Sequence, residues 1–276
     1  ALPYIPGKGP AGVVRRVGEG VTDLQPGDRV LAMAEYGGYA EQVAVDRRQV
    51  YPLPEMVSFV DAAAMALAFD TAWMSLRERA RLQPGESVLV LGATGAVGGA
   101  AVALAKAMGA SQVLAGVSSP DRFAGPAALG ADTCIDLSRP DLKNSVREQV
   151  WAVTGDRGVD VVIDTLGGDP FDGALRSLAW RGRLVVVGFA AGRIPTLKVN
   201  YLLLKNIEIS GVQISDYRKR TPELLTECYR EIFSFVEQGR VGRLPSVTYP
   251  LEEWRAAMQV VESGTANHRV VLVPRP

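Results

Sequence analysis

One short run in this chain has the residue types and spacing to hold an anion. Leu91-Gly92-Ala93-Thr94-Gly95-Ala96-Val97-Gly98 follows an apolar stretch and opens an alanine-rich one. A small-residue loop between a strand and a helix lets backbone approach a pyrophosphate, and the free N–H groups of the helix start face that anion. Gly95 suits the close approach, and Gly98 suits tight packing of helix on strand. Ala93 stands where the usual fingerprint has its first glycine. Ala93, Thr94, Gly95, Ala96, Val97 and Gly98 are therefore candidate cofactor-binding residues, against the plainer alternative of a tight structural turn.

The form of the dinucleotide is read at the end of the next strand, about 20 residues on. NAD-binding sites place Asp or Glu there for the ribose 2′-hydroxyl. This chain reads Val117-Ser118-Ser119-Pro120-Asp121-Arg122. Ser118, Ser119 and Arg122 suit a 2′-phosphate, because hydroxyls and a guanidinium match phosphate geometry. NADPH is the expected cofactor. Asp121 argues the other way, but it lies beyond the strand, in the first turn of the following helix. The plainer alternative is a serine cap with Arg122 in solvent.

Little else in the chain could do chemistry. Its 276 residues hold one His and two Cys, and 30 Lys+Arg balance 30 Asp+Glu. So few N and S ligands point to no metal site. Zero net charge offers no basic excess for a nucleic acid. Two distant cysteines are no disulfide framework, and a reducing, cytoplasmic location is the expectation. The longest apolar runs, 62–69 and 184–191, fall short of the ~20 residues of a membrane span. No Gly-x-Ser-x-Gly elbow supports a hydrolase. The abrupt, Met-less start, Ala1-Leu2-Pro3-Tyr4, leads us to expect further residues before it.

The elements that must position these residues follow from the apolar rhythm. Residues 1–60 carry short apolar runs punctuated by glycines, a β-and-turn pattern. Helical spacing is expected over 58–68 and again over 70–82, with Asp70 as the cap of the second helix. From Ser87–Leu91 onward, wholly apolar strands alternate with helices. The strands are Ser87–Leu91, Gln112–Val117, 134–137, Val159–Asp164, 184–188 and 207–212. The helices between them are 99–108, 122–129, 142–153 and 171–179. Apolar strands alternating with helices predict a parallel sheet covered on both faces, hence an α/β fold. A helix over 222–238 starts at Thr221-Pro222. Short β and helical segments close the chain at 247–249, 251–262 and 270–273.

Ordered motifs then carry a family resemblance. They are Val17-Gly18-Glu19-Gly20-Val21, Pro26-Gly27-Asp28-Arg29-Val30, Gly37-Gly38-Tyr39-Ala40-Glu41, Thr71-Ala72-Trp73, Gln83-Pro84-Gly85-Glu86, the 93–98 loop, Gly158-Val159-Asp160-Val161-Val162-Ile163-Asp164 and Pro250-Leu251-Glu252-Glu253. Together they resemble the medium-chain dehydrogenase/reductases, in their zinc-free quinone-oxidoreductase branch, across nearly the whole chain. The resemblance implies a Rossmann dinucleotide-binding domain over 63–240. It also implies a GroES-like β-rich catalytic domain split between 1–62, incomplete at its start, and 241–276. The metal-binding Gly-His-Glu of the zinc branch falls on Gly7-Lys8-Gly9, and the four-cysteine lobe is absent. Cys134 and Cys228 then read as small buried hydrophobes.

The same resemblance implies the remaining site residues. Leu166, Gly188, Phe189, Val212 and Gln213 border the nicotinamide, and Arg269 takes the place of a terminal Lys that reaches the cofactor. Thr71 begins a helix near the ring. Asn200 borders the substrate cleft and is the best polar candidate on that side. Tyr39 packs in the β domain, and His268 is structural. Leu137 departs from the pattern, because relatives place a Tyr near the adenosine there. The implied chemistry is hydride transfer from NADPH to a quinone or an α,β-unsaturated carbonyl. An enoyl-thioester reductase is the near alternative, and a non-enzymatic NADPH- or RNA-binding relative the distant one. The partner is a small electrophile, with no membrane or nucleic acid. The edge strand 207–212 is expected to pair with its symmetry mate in a homodimer.

Overall fold

Wholly apolar strands need cover on both faces, and here they obtain it from a parallel sheet between helices. The structure is a computed structural model that describes residues 3–264 and 268–275. The chain opens with β1 (Ala11–Val13), β2 (Arg29–Ala32) and β3 (Val50–Pro52), then enters helix α1 (Phe59–Trp73). A π-helical stretch, Met74–Arg79, follows directly. Next come β4 (Ser87–Leu91), α2 (Ala96–Ala107), β5 (Gln112–Val117), α3 (Ala124–Ala128), β6 (Thr133–Asp136) and α4 (Leu142–Thr154). Then follow β7 (Val159–Asp164), α5 (Gly168–Ser177), β8 (Leu178–Val186), α6 (Asn200–Lys205) and β9 (Glu208–Gly211). The chain closes with α7 (Ile214–Arg220), α8 (Pro222–Glu237), β10 (Ser246–Pro250), α9 (Trp254–Glu262) and β11 (Arg269–Val273).

Two compact units result, residues 71–214 and residues 1–70 with 215–276. The 71–214 unit holds the six-stranded sheet in the order β6-β5-β4-β7-β8-β9, every pair parallel. Its core is continuous: Leu89, Leu91, Leu114, Ile135, Val146, Val162, Leu175 and Leu184 pack together at 0–4 % exposure. The chain moves outward from β4 to β6, then returns to start β7 on the other side of β4. That reversal between β4 and β7 is where open α/β sheets leave a crevice for ligands. The other unit carries the antiparallel sheet β1-β2-β3 and the parallel pair β10-β11.

Several expectations change. Asp70 does not cap a second helix. It lies inside α1, whose irregularity falls earlier, at Ala66 (φ −17°, ψ −109°). Burial decides the matter: Asp70 is fully buried and ion-paired with Arg218, so the helix continues through it. For the same reason α8 goes with the 1–70 segment. Its Tyr229 hydroxyl lies 3.2 Å from Asp70 Oδ2, and the compact units divide at 70/71 and 214/215. Helices α6 and α7 are additional to the expected ones. Helical stretch Phe59–Arg79 has the length and apolarity of a membrane span, and 72 % of its most apolar window is buried in the protein.

Candidate functional site

The loop after β4 is built by close approach. Gly92 has φ +73°, and a Cβ there would meet Thr165 Oγ1 at 2.5 Å, so only glycine fits. Its N–H and that of Ala93 both donate to the Gly116 carbonyl at 3.1 Å. Gly95 is the extended N-cap of α2. A Cβ on Gly98 would lie 2.1 Å from the Gly92 carbonyl oxygen, which is the tight strand–helix packing expected of that position. Thr94 and Gly95 are exposed, while Ala96 and Val97 are half-buried. The first N–H groups of α2 have no partner within the helix, so they point their donors and the positive end of its dipole out of this loop. Donors, shape and exposure all suit a pyrophosphate.

The end of β5 supplies the second part. Ser118 is exposed at the strand terminus, and Arg122 Nη1 lies 3.5 Å from its Oγ. Ser119 is the N-cap of a 3-10 turn, Pro120–Phe123, and its hydroxyl contacts the Asp121 carboxylate. The acid is thus turned onto Ser119, in the first turn where it was expected. A hydroxyl and a guanidinium remain together at the strand end, a donor pair suited to phosphate. Leu137 bends toward the sheet, where a Cβ on Gly116 would meet its Cδ1 at 3.3 Å. It serves the core rather than an adenosine face.

The ends of β7, β8 and β9 are tied to one another. Thr165 Oγ1 donates to the Leu91 carbonyl at 2.9 Å, linking the β7 loop to β4 across the crevice. Asp164 closes β7 and is fully buried. Its Oδ1 accepts the N–H groups of Leu166 and Gly167, each at 2.9 Å, while Oδ2 has no partner. Burial raises this carboxyl above its usual range, against the two N–H donors. The Asp164 carbonyl accepts from Val187 and Gly188 at 2.8 and 3.3 Å. Phe189 leans on Gly167, and Val212 N–H donates to Val186 at 3.1 Å. Leu166, Gly188, Phe189, Val212 and Gln213 therefore sit on consecutive loops at the carboxyl ends of adjacent strands. Asp164 and Thr165, which organise these loops, were missed in the sequence. The signal was a polar pair ending the apolar run Val159-Asp160-Val161-Val162-Ile163.

The remaining candidates lie on other elements. Thr71 does not begin a helix but lies within α1, nearly buried, and its carbonyl accepts the Ser75 hydroxyl at 2.7 Å. The buried Asp70 beside it keeps the helix continuous. Asn200 is the exposed first residue of α6, on the β8–β9 crossover and not on a strand-end loop. Arg269 belongs to the other unit. There it starts β11, and its Nε donates to the Ala64 carbonyl at 3.0 Å. His268 is exposed, and Tyr39 is 37 % exposed. Cys228 is buried on α8, and burial pushes its thiol well up. Half-buried Cys134 is raised for the same reason, so neither is an activated nucleophile.

Comparisons with known proteins agree with this geometry. Residues 1–55 match the alcohol dehydrogenase GroES-like domain family, and residues 96–230 match the zinc-binding dehydrogenase family. The quinone oxidoreductase-like protein 2 of Bos taurus is 36 % identical over 98 % of this chain and 76 % of its own length. Escherichia coli quinone oxidoreductase complexed with NADPH superposes with a TM-score of 0.86 at 29 % identity. That match covers 99 % of this chain and 83 % of the other. The CurK enoyl reductase gives 0.85 at 27 % identity, covering 99 % and 80 %. The chain belongs to the medium-chain dehydrogenase/reductase superfamily, as a quinone oxidoreductase-like member. The zinc of that second family description does not fit the residues present. Among the described residues no three His, Cys, Asp or Glu side chains come together. Lys8 pairs with Glu35 at 3.5 Å, and a Cβ on Gly9 would meet that of Ala66 at 2.2 Å, leaving no room for a ligand side chain.

Proposed function

We propose that this chain is an NADPH-dependent oxidoreductase that passes a hydride to a quinone or an α,β-unsaturated carbonyl without zinc. The observation that carries the reading is the meeting of two donor sets at the carboxyl ends of two adjacent strands of one sheet. The open N-terminus of α2 sits after β4, and the Ser118–Arg122 pair sits after β5. When bound, the dihydronicotinamide supplies the hydride. The α2 N–H groups receive the pyrophosphate, and Ser118 with Arg122 receives the 2′-phosphate. Backbone at Gly188 and Phe189 orients the carboxamide, Leu166, Val212 and Gln213 border the ring, and Thr71 lies near it, as in the family. Positioning and exclusion of water are the protein's main contributions. Hydroquinone anions take protons from solvent, so no dedicated proton donor is required.

The similarity to the CurK enoyl reductase supports a second reading, reduction of an enoyl thioester. Stopped-flow NADPH oxidation with a quinone, an enone and crotonyl-CoA separates the two. Fast oxidation with the quinone or enone supports the first reading, and preference for the thioester supports the second. No oxidation with any acceptor contradicts both. We further propose a homodimer through β9, which forms the edge of the sheet.

A further inference from the structure

Within the 1–70 and 215–276 unit, one polar cluster has no part in the site above. The Asp70 and Arg218 side chains are both 0 % exposed, with Arg218 Nη2 2.5 Å from Asp70 Oδ2. The Tyr229 hydroxyl, on α8, lies 3.2 Å from the same oxygen and 3.2 Å from the Ala66 carbonyl. Ala66 is the non-helical residue of α1, and its carbonyl accepts from this hydroxyl. The Tyr51 ring, with its centroid 4.4 Å away, backs Tyr229. Arg218 Nε and Nη1 and the Tyr51 hydroxyl are buried without partners. A fully buried ion pair is weak support for stability, because desolvation offsets the attraction. Such a costly cluster calls for a role in geometry.

Its place in the chain suggests one. The chain passes between the two units only at 70/71 and 214/215. Asp70 is the last residue before the first passage, and Arg218 comes four residues after Ile214, the last before the second. Thr71 follows Asp70 directly, and Val212-Gln213 shortly precede α7. The irregular backbone at Ala66 and the π-helical stretch at Met74–Arg79 bracket Thr71, and π-helical turns gather at functional sites.

We infer that Asp70, Arg218 and Tyr229 are positioning residues for hydride transfer. Their buried bonds fix the outgoing and returning segments against each other. Through helix α1, in which Thr71 directly follows Asp70, this sets where Thr71 stands. None of the three touches cofactor or substrate. The inference rests on the proposed NADPH-dependent reading.

The test compares wild type with Asp70→Asn, Arg218→Lys, Tyr229→Phe and the double variant Asp70→Leu/Arg218→Met. Melting temperature, kcat and KM with NADPH and a quinone are measured, with the isotope effect on kcat from 4-deuterated NADPH. A misplacement near 1 Å costs on the order of 100-fold in rate. The single ion-pair variants should lose about 10- to 100-fold in kcat with KM for NADPH within about twofold, and the isotope effect should rise. Tyr229→Phe, which keeps the ring, should show the same pattern more weakly. The apolar double variant should regain thermal stability, as such replacements often do, yet keep the low kcat. Recovery of kcat together with melting temperature would mark a merely structural cluster and overturn the inference, as would unchanged kcat in folded variants. Should a single variant fail to fold, the double variant and Tyr229→Phe decide. A wild type that oxidises NADPH with no acceptor overturns the functional reading and this inference together.

Discussion

In the proposed reading Arg122 carries the finest distinction in the site, that between NADPH and NADH. Its guanidinium stands by Ser118, and hydrogen bonds to charged groups contribute about 1.5–3 kcal/mol each. Arg122→Ala should weaken NADPH binding by about 10- to 100-fold and leave NADH nearly unchanged in a fluorescence titration. Equal weakening of both contradicts a phosphate role. Asp164 predicts a pH effect. Burial raises its carboxyl in the folded chain above the unfolded value, so folding retains the proton. The stability it contributes is present below the ordinary carboxylate range and is lost as pH rises through the raised value. Asp164→Asn keeps an oxygen for the Leu166 and Gly167 N–H groups and removes that titration. The melting temperature of the wild type should therefore fall relative to the variant as pH rises, and parallel curves contradict this. The glycine loop and the Ser118–Arg122 pair were legible because local chain order sets them. Asp164 was not, because its burial depends on neighbouring strands that a linear reading does not bring together.

Among the elements, the parallel strands were the most legible. Strands buried on both faces must be apolar throughout, and β4, β5 and β7 lie where the apolar runs place them. Helix α1 was misread because Asp70 has the residue type of a cap, and only its distant partner Arg218 shows it to be interior. Sequence spacing cannot reveal a pair separated by 148 residues. The β4–α2 junction gives a test at this scale. Any side chain at Gly98 meets Gly92 backbone, which cannot rotate away. Gly98→Val should force α2 off the strand, cost roughly 1–3 kcal/mol, and lower dinucleotide affinity in parallel. A variant with native stability and native affinity contradicts the packing role of Gly98.

For the whole molecule, the exposed edge at β9 raises the question of assembly. A free sheet edge is a template for pairing, and a two-fold copy of β9 would continue the sheet to twelve strands. Sedimentation velocity should give a dimer, and a lone monomer across the micromolar range contradicts it. Two recurring architectures in one chain were legible through ordered motifs spread along its length. The account turns on hydride donation from NADPH without a metal. Its most direct test is anaerobic stopped-flow absorbance of the chelator-treated protein with NADPH and benzoquinone. The account predicts rapid loss of the NADPH band with one quinone reduced per NADPH consumed. A band that persists with quinone present, or that decays only after zinc is added, would contradict it.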